Sequence, residues 1–248
     1  MGHVKAMIIG ESGAGKSHLA ATAPRPLILL TEPNGAMSIM HSNPNAMIIQ
    51  VDNLEQFQEA YMAIHYNAMY HAGERNSDGK PYSQPPEFKG LEFDTIVIDS
   101  MTELQRYLID DIKGPRDPKT GKTKHMSLQD YGELGHRMSG MIRRLCKLPY
   151  HIVFTSLCEV QTEGEHNTRH MYPLLTGKLR YTVQQYFVGV GYLYQTGGEN
   201  AEGSAQRALL LDGHDQIKTK AFPNMTGTIK DPDLTEIFNS IMSIAGEV

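Results

Sequence analysis

The sequence predicts an α/β fold with a mostly parallel central sheet, helices on both faces and antiparallel strands added at the C-terminal end. Three observations carry that prediction. Short apolar runs recur at residues 4–9, 26–31, 46–51, 95–99 and 151–157, and continuous apolar runs of this kind mark strands buried on both faces. Segments with helical periodicity separate them, and alternating strands and helices imply crossovers that cover a parallel sheet on both sides. The first run leads directly into Gly-Glu-Ser-Gly-Ala-Gly-Lys-Ser at residues 10–17. This is a complete G-x-x-x-x-G-K-[ST] phosphate loop between a strand and a helix.

Taken in order, residues 4–9 form the strand before the loop and 16–23 a short helix stopped by Pro24. Runs 26–31 and 46–51 are the second and third strands. Asn53 followed by Gln56 resembles a capping box, opening a helix with Leu54, Phe57, Ala60, Tyr61, Ile64 and Ala68 inward. Residues 73–92 are polar and broken by Gly79, Pro81, Pro85 and Pro86, which suits an irregular surface insertion. Run 95–99 is the next strand, followed by a helix facing inward through Leu104, Tyr107, Leu108 and Ile112. After a basic loop comes a longer helix with Leu134, Met138, Met141, Ile142 and Leu145 on its apolar face, then strand 151–157. Residues 177–185 suggest a short helix; 186–194, 207–211 and 216–222 suggest strands joined by Gly/Asn/Asp turns. Asp231-Pro232 starts a last helix with Leu234, Ile237, Phe238 and Ile241 inward.

With 248 residues, 40% of them apolar, the chain suits one substantial domain spanning residues 1–248. A net charge of −5 excludes a uniformly basic nucleic-acid coat, so contact with phosphates needs local clusters. Cys146 and Cys158 lack metal-ligand spacing and suggest core thiols in a reducing compartment. No apolar stretch approaches the roughly 18 residues of a membrane span and the N-terminus carries no secretory pattern, so no membrane contact and a cytoplasmic location are expected.

The phosphate loop assigns Gly10, Glu11, Ser12, Gly13, Ala14, Gly15, Lys16 and Ser17 to nucleotide binding. Its backbone N–H groups curl round phosphates, Lys16 reaches the β/γ oxygens and the Ser17 hydroxyl meets Mg²⁺. Asp99, at the end of an apolar strand and followed by Ser100, suits the second metal-binding position; capping the next helix is its other reading. Glu32 follows the second strand, where it can orient an attacking water or sit in solvent. Strand ends on one edge of a parallel sheet converge, so Lys16, Glu32 and Asp99 can meet. Thr155-Ser156 ends strand 151–157, where Ser156 either touches the nucleotide or satisfies backbone groups. No Asn-Lys-x-Asp sequence is present to read guanine, which favours ATP.

Lys113, Arg116, Lys119, Lys122 and Lys124 stand against the single acid Asp117 in a Gly/Pro-rich stretch. Such a mobile cationic loop suits a flexible polyanion, or is simply solvated. Residues 159–175 form a second long polar loop, with Arg169, His170 and Tyr172 beside the acids Glu159, Glu163 and Glu165. Lys218 and Lys220 share one side of a predicted strand, facing water or a neighbouring subunit.

In this order the segments resemble the RecA-like recombinase ATPases, especially the compact phage-encoded single-strand annealing ATPases with a minimal RecA core. The resemblance covers most of the chain. It implies a RecA-like P-loop fold, with Leu29-Leu30-Thr31-Glu32 ending in the catalytic glutamate and Ile98-Asp99-Ser100 as the metal-binding strand end. It sets 113–126 and 159–175 at the two DNA-binding loops, so that Lys113, Arg116, Lys119, Lys122, Lys124 and Arg169 contact DNA. Lys218 and Lys220 then act on the neighbouring subunit's γ-phosphate. The implied activity is ATP hydrolysis with Mg²⁺, stimulated by single-stranded DNA, in annealing or strand exchange. The implied partners are single-stranded DNA, a single-strand-binding protein and further copies of the chain, in the cytoplasm of a phage-infected bacterium. Two features depart from the family. Its coupling glutamine is not evident after strand 151–157, leaving Ser156 or Gln161 there, and the chain starts at its first core strand, without the larger recombinases' N-terminal oligomerisation segment. A nucleotide-switched assembly or packaging ATPase with a protein partner is the alternative expectation; a small-molecule kinase, which the sequence equips with no arginine-rich lid, is a third.

Overall fold

The five apolar runs fold as β1 (Lys5–Gly10), β2 (Pro26–Leu30), β3 (Met47–Gln50), β4 (Thr95–Asp99) and β5 (His151–Glu163). Four further strands follow: β6 (Thr168–Pro173), β7 (Gly189–Glu199), β8 (Ala205–Leu210) and β9 (Thr228–Lys230). They come from a computed structural model that describes residues 2–163, 168–199, 205–212 and 216–245. The strand order is β3-β2-β4-β5-β1-β7-β8-β9, with β6 paired to β5. From β3 to β7 the neighbours are parallel, whereas β8 and β9 join antiparallel. The predicted fold class is the one the chain adopts.

The helices are α1 (Lys16–Ala21), α2 (Ala36–Ser42), α3 (Leu54–His71), α4 (Met101–Lys113), α5 (Leu128–Cys146), α6 (Leu179–Thr182) and α7 (Leu234–Ala245). Side chains alternate along each strand, so the sheet separates two cores. Ile8, Ile28, Val97 and Val153 pack with Leu19 of α1 and Leu234 and Phe238 of α7. Ile9, Leu29, Ile98 and Phe154 pack with Phe57 and Ile64 of α3, Leu104 of α4, and Met138 and Ile142 of α5. Among the described residues, no helix is long and apolar enough to cross a membrane.

Caps fix where the helices begin. The Asn53 side chain accepts from Gln56 N–H at 2.9 Å, but the Gln56 amide accepts from Asp52 N–H, so the expected capping box closes one residue early. Ser127 and Asp130 make a reciprocal box at the start of α5. α4 starts immediately after β4, at the C-terminal edge of the sheet. α5 ends just before β5 begins, so its 19 residues reach back about 28 Å towards that same edge. The intervening loop, 114–127, must therefore climb back beside the two helices, which the Arg137–Asp111 ion pair of 2.7 Å ties together.

Several segments differ from the sequence expectation. Residues 159–175 are not a loop for most of their length: β5 runs on past the core and pairs antiparallel with β6 from Cys158↔Pro173 to Glu163↔Thr168. Residues 164–167, including Glu165, and the Glu163 side chain lie outside the described residues. The expected strand at 216–222 makes only isolated bridges, Ile217 to Met171 and Lys220 to Val190. The strand that pairs with β8 on the side away from β7 is instead β9, which is too short for its alternation to stand out. α2 was also illegible, because only Ile39 of its seven residues is buried. The insertion at 73–92 carries an Arg75↔Pro81 bridge and a 3₁₀ turn (Pro86–Phe88). That turn drives Phe88 into the core, with its ring 5.2 Å from Phe93.

His151 opens β5 with its Nδ1 accepting from Val4 N–H at 2.9 Å, which requires an unprotonated nitrogen. Burial first, then the nearby His3 and Lys5, push its pKa down to about 4, against a smaller opposing pull from Asp94. The unfolded imidazole titrates near 6.5. Between these values the unfolded chain binds the extra proton, so His151 favours folding fully above about pH 6.5 and progressively less as pH falls towards 4. Thermal melts at pH 7 and pH 4.5 should show a drop in wild type that His151→Asn reduces by roughly 2–4 °C.

Candidate functional site

The phosphate loop leaves β1 at Gly10 and turns through Gly13 and Gly15, with φ of +80° and +95°. Both values lie in the left-handed region that glycine alone enters without strain. Gly10 must also be glycine for space, since a Cβ there would lie 2.6 Å from Leu193 O. The turn delivers Lys16 to the first position of α1, where it is only 8% exposed. Its ammonium donates to Gly10 O at 3.1 Å and Glu11 O at 2.8 Å. Burial lowers the Lys16 pKa, while the negative charges of Glu32 and Asp99 oppose that shift. The three residues expected to converge at this strand edge are thus within electrostatic reach of one another.

Asp99 ends β4 at 1% exposure. Thr155 of β5 donates to its Oδ1, whereas Oδ2 is buried without a hydrogen-bond partner. Burial raises the Asp99 pKa, and the Ser17 and Thr155 hydroxyls beside it work in the other direction. A buried carboxylate oxygen that makes no hydrogen bond, with the Ser17 hydroxyl close by, fits a site that a cation completes. Ser17 and Asp99 together offer the hard oxygen atoms that Mg²⁺ takes alongside phosphate oxygens. Among the described residues no group of three or more His, Cys, Asp or Glu side chains could hold a metal unaided.

Glu32 lies just beyond β2, and a hydroxyl framework ties it to β4. Ser100 Oγ donates to Glu32 Oε1 at 2.9 Å and also caps α4, accepting from Glu103 N–H at 3.4 Å. Thr31 Oγ1 accepts from Ser100 N–H at 2.8 Å. The Tyr107 hydroxyl of α4 bridges Thr31 O and Val51 O at 2.9 and 2.8 Å. Glu32 is therefore a half-buried carboxylate oriented by its neighbours, beside the phosphate loop.

Of the two roles expected for Ser156, its side chain takes the one that satisfies a backbone group, not the nucleotide contact. Its hydroxyl lies 3.1 Å from Thr102 Oγ1 and donates to Leu157 O at 2.9 Å, on the α4 side of the sheet. The residue facing Asp99 is Thr155, its neighbour. Sequence could narrow the choice to this adjacent pair, but only strand register decides between them. Gln195 and Arg207, which touch the loop from β7 and β8, gave no sequence signal because they are so far from it along the chain.

Of the expected DNA contacts, Arg116, Lys119, Lys122, Lys124 and Arg169 are exposed and Lys113 is half-buried. Lys124 is engaged: its ammonium pairs with Asp130 Oδ1 at 2.8 Å, which with Ser127 pulls the Asp130 pKa down to about 2. Asp117 accepts from Lys119 N–H and Thr120 Oγ1, closing a local turn. Arg169 lies on the β5–β6 hairpin rather than in a loop. Lys220 donates to Phe187 O at 2.6 Å within its own chain, beside Val190. The Lys218 carbonyl accepts from Gln184 Nε2 at 2.7 Å. Both lie off the expected strand, so the pattern that put them on one side does not hold. A cleft of about 300 Å³ is lined by Glu11–Ala14 of the loop and Tyr192–Gln195 of β7.

A glycine-turned phosphate loop at the edge of a parallel sheet, with a buried acid on a nearby strand, defines a P-loop nucleotide-binding domain. A family described as AAA domain matches residues 3–221. The chain belongs to that family, and membership carries nucleotide binding of the ATPase kind. A search of curated proteins found no match.

Proposed function

We propose that this chain is a Mg²⁺-dependent ATPase stimulated by single-stranded DNA, acting as a homo-oligomer in annealing or strand exchange. The observation that carries the ATPase is the orphaned Oδ2 of Asp99, facing the loop that holds Lys16 and Ser17, with Glu32 fixed beside it. Ser17 and Asp99 would hold the ion, and when bound it would supply charge neutralisation at the phosphates. Lys16 binds the phosphate chain and Glu32 orients the water.

Support for the DNA partner comes from position. The basic loop returns to the strand edge that carries the phosphate loop, and the β5–β6 hairpin rises from that edge. Exposed Arg116, Lys119 and Lys122 on one and Arg169 on the other give a polyanion two flanking contacts. ATP turnover measured with and without single-stranded DNA, in wild type and Glu32→Ala, tests the proposal. Stimulation by DNA in wild type alone supports it; turnover indifferent to DNA sinks it. Neutralising Arg116, Lys119 and Lys122 together should weaken DNA binding and shallow its salt dependence by up to about three units of log–log slope.

A protein partner is the second reading, favoured by Leu128 and Val160, which are 92% and 54% exposed at the same edge. ATP-dependent co-purification of one protein, with no retention on DNA, would select it.

A further inference from the structure

Two side chains from the β7–β8 pair end on the phosphate loop. Gln195 and Arg207 are directly opposed across this antiparallel pair, so they leave the sheet on the same face. That face is set by Leu193 and Leu209, which lie two positions away and pack into the core beneath α1. Gln195 Nε2 donates to Gly13 O at 2.8 Å. Arg207 rests on Gly15: a Cβ there would overlap Nε and fall 2.9 Å from Cδ and 3.2 Å from Cζ. Gly15 is thus needed for the guanidinium to lie where it does, apart from its own positive φ. Arg207 Nε is buried and has no hydrogen-bond partner, a costly state for part of a charged group. Its backbone is fixed from the other side, since Arg207 N–H donates to Asp231 Oδ1 at 3.3 Å and Asp231 N–H to Arg207 O at 2.8 Å.

We infer that Arg207 is a phosphate ligand supplied by the same chain, engaging the α/β part of the nucleotide's phosphate chain while Gln195 steadies the loop. The inference rests on the nucleotide reading above and adds a residue to that site. The glycine-rich part of such a loop cradles the α- and β-phosphates, whereas its lysine reaches the β/γ oxygens; Arg207 covers the glycine-rich part. The sheet order agrees, because β4 and β2, bearing Asp99 and leading to Glu32, lie on one side of β1 and β7–β8 on the other. The β/γ end of the triphosphate then faces Asp99, and its α/β end faces Arg207. A planar guanidinium matches two phosphate oxygens at once, which an ammonium cannot do.

The test is equilibrium binding of ATP and of ADP, each with Mg²⁺, to the full chain as wild type, Arg207→Ala and Arg207→Lys, with melts of the nucleotide-free proteins. Arg207→Ala should weaken ATP and ADP alike, by about tenfold or more, and Arg207→Lys should recover only part of that loss. Weakening confined to ATP overturns the inference, because it puts the guanidinium at the γ-phosphate. Equal affinities across the three proteins also overturn it. Should Arg207→Ala fail to fold, the lysine variant decides, since it keeps the charge but must still lose several-fold in both affinities. Wild-type protein that binds neither nucleotide overturns the parent reading and this one with it, a failure recognisable because it precedes any substitution.

Discussion

Lys16→Ala should weaken ATP binding by at least about 100-fold, leaving the variant mostly empty at concentrations just sufficient to saturate wild type. The size follows from what surrounds the ammonium. Lys16 is buried, is held by the Gly10 and Glu11 carbonyls, and is the cation opposed to Glu32 and Asp99. Removing it deletes a phosphate contact and also leaves two carboxylates uncompensated in front of an arriving polyanion. Titration calorimetry reads this directly. Binding within threefold of wild type would show that the nucleotide sits elsewhere.

Glu32→Gln should do the opposite, leaving ATP affinity within a few-fold of wild type while lowering turnover by about 100-fold or more. The amide keeps an oxygen that accepts from Ser100 Oγ, so the framework joining Thr31, Ser100 and α4 survives the change. What disappears is the negative charge that polarises and orients water. Single-turnover hydrolysis by enzyme preloaded with ATP separates the two effects. Unchanged turnover in this variant would remove Glu32 from the reaction and return it to the role of a solvent-facing loop residue.

Much of this site was legible in the sequence for a physical reason. The strands that carry it are buried on both faces, so their apolar runs are continuous, and the loop between β1 and α1 admits few residues other than those present. Asp99 and Glu32 could be read because they follow such runs immediately. Legibility ended where burial did. The outer half of β5 and all of β6 stand above the core, so the alternating pattern that marks a strand is lost among Glu159, Gln161 and Arg169. Residues 216–222 alternate convincingly, yet they meet Met171 and Val190 at single bridges and so build no continuous ladder with either neighbour. Arg207 could not be found at all, because its importance lies in a contact with Gly15, and no local pattern encodes a contact between distant positions. The narrower likeness to phage recombinases rests on loop positions, and the family match carries only the broader ATPase.

The two-sided character of β5 constrains how this protein can change over time. Val153 and Thr155 look towards α1, and Phe154 and Ser156 towards α4. One residue inserted between His151 and Phe154 would send Phe154 to the wrong core and remove the hydroxyl from Asp99 in the same stroke. Lineages descended from this sequence can therefore lengthen or shorten the strand only beyond Leu157, in the hairpin. The part of the molecule proposed to meet a partner is free to diversify, and the part proposed to hold the nucleotide must keep count.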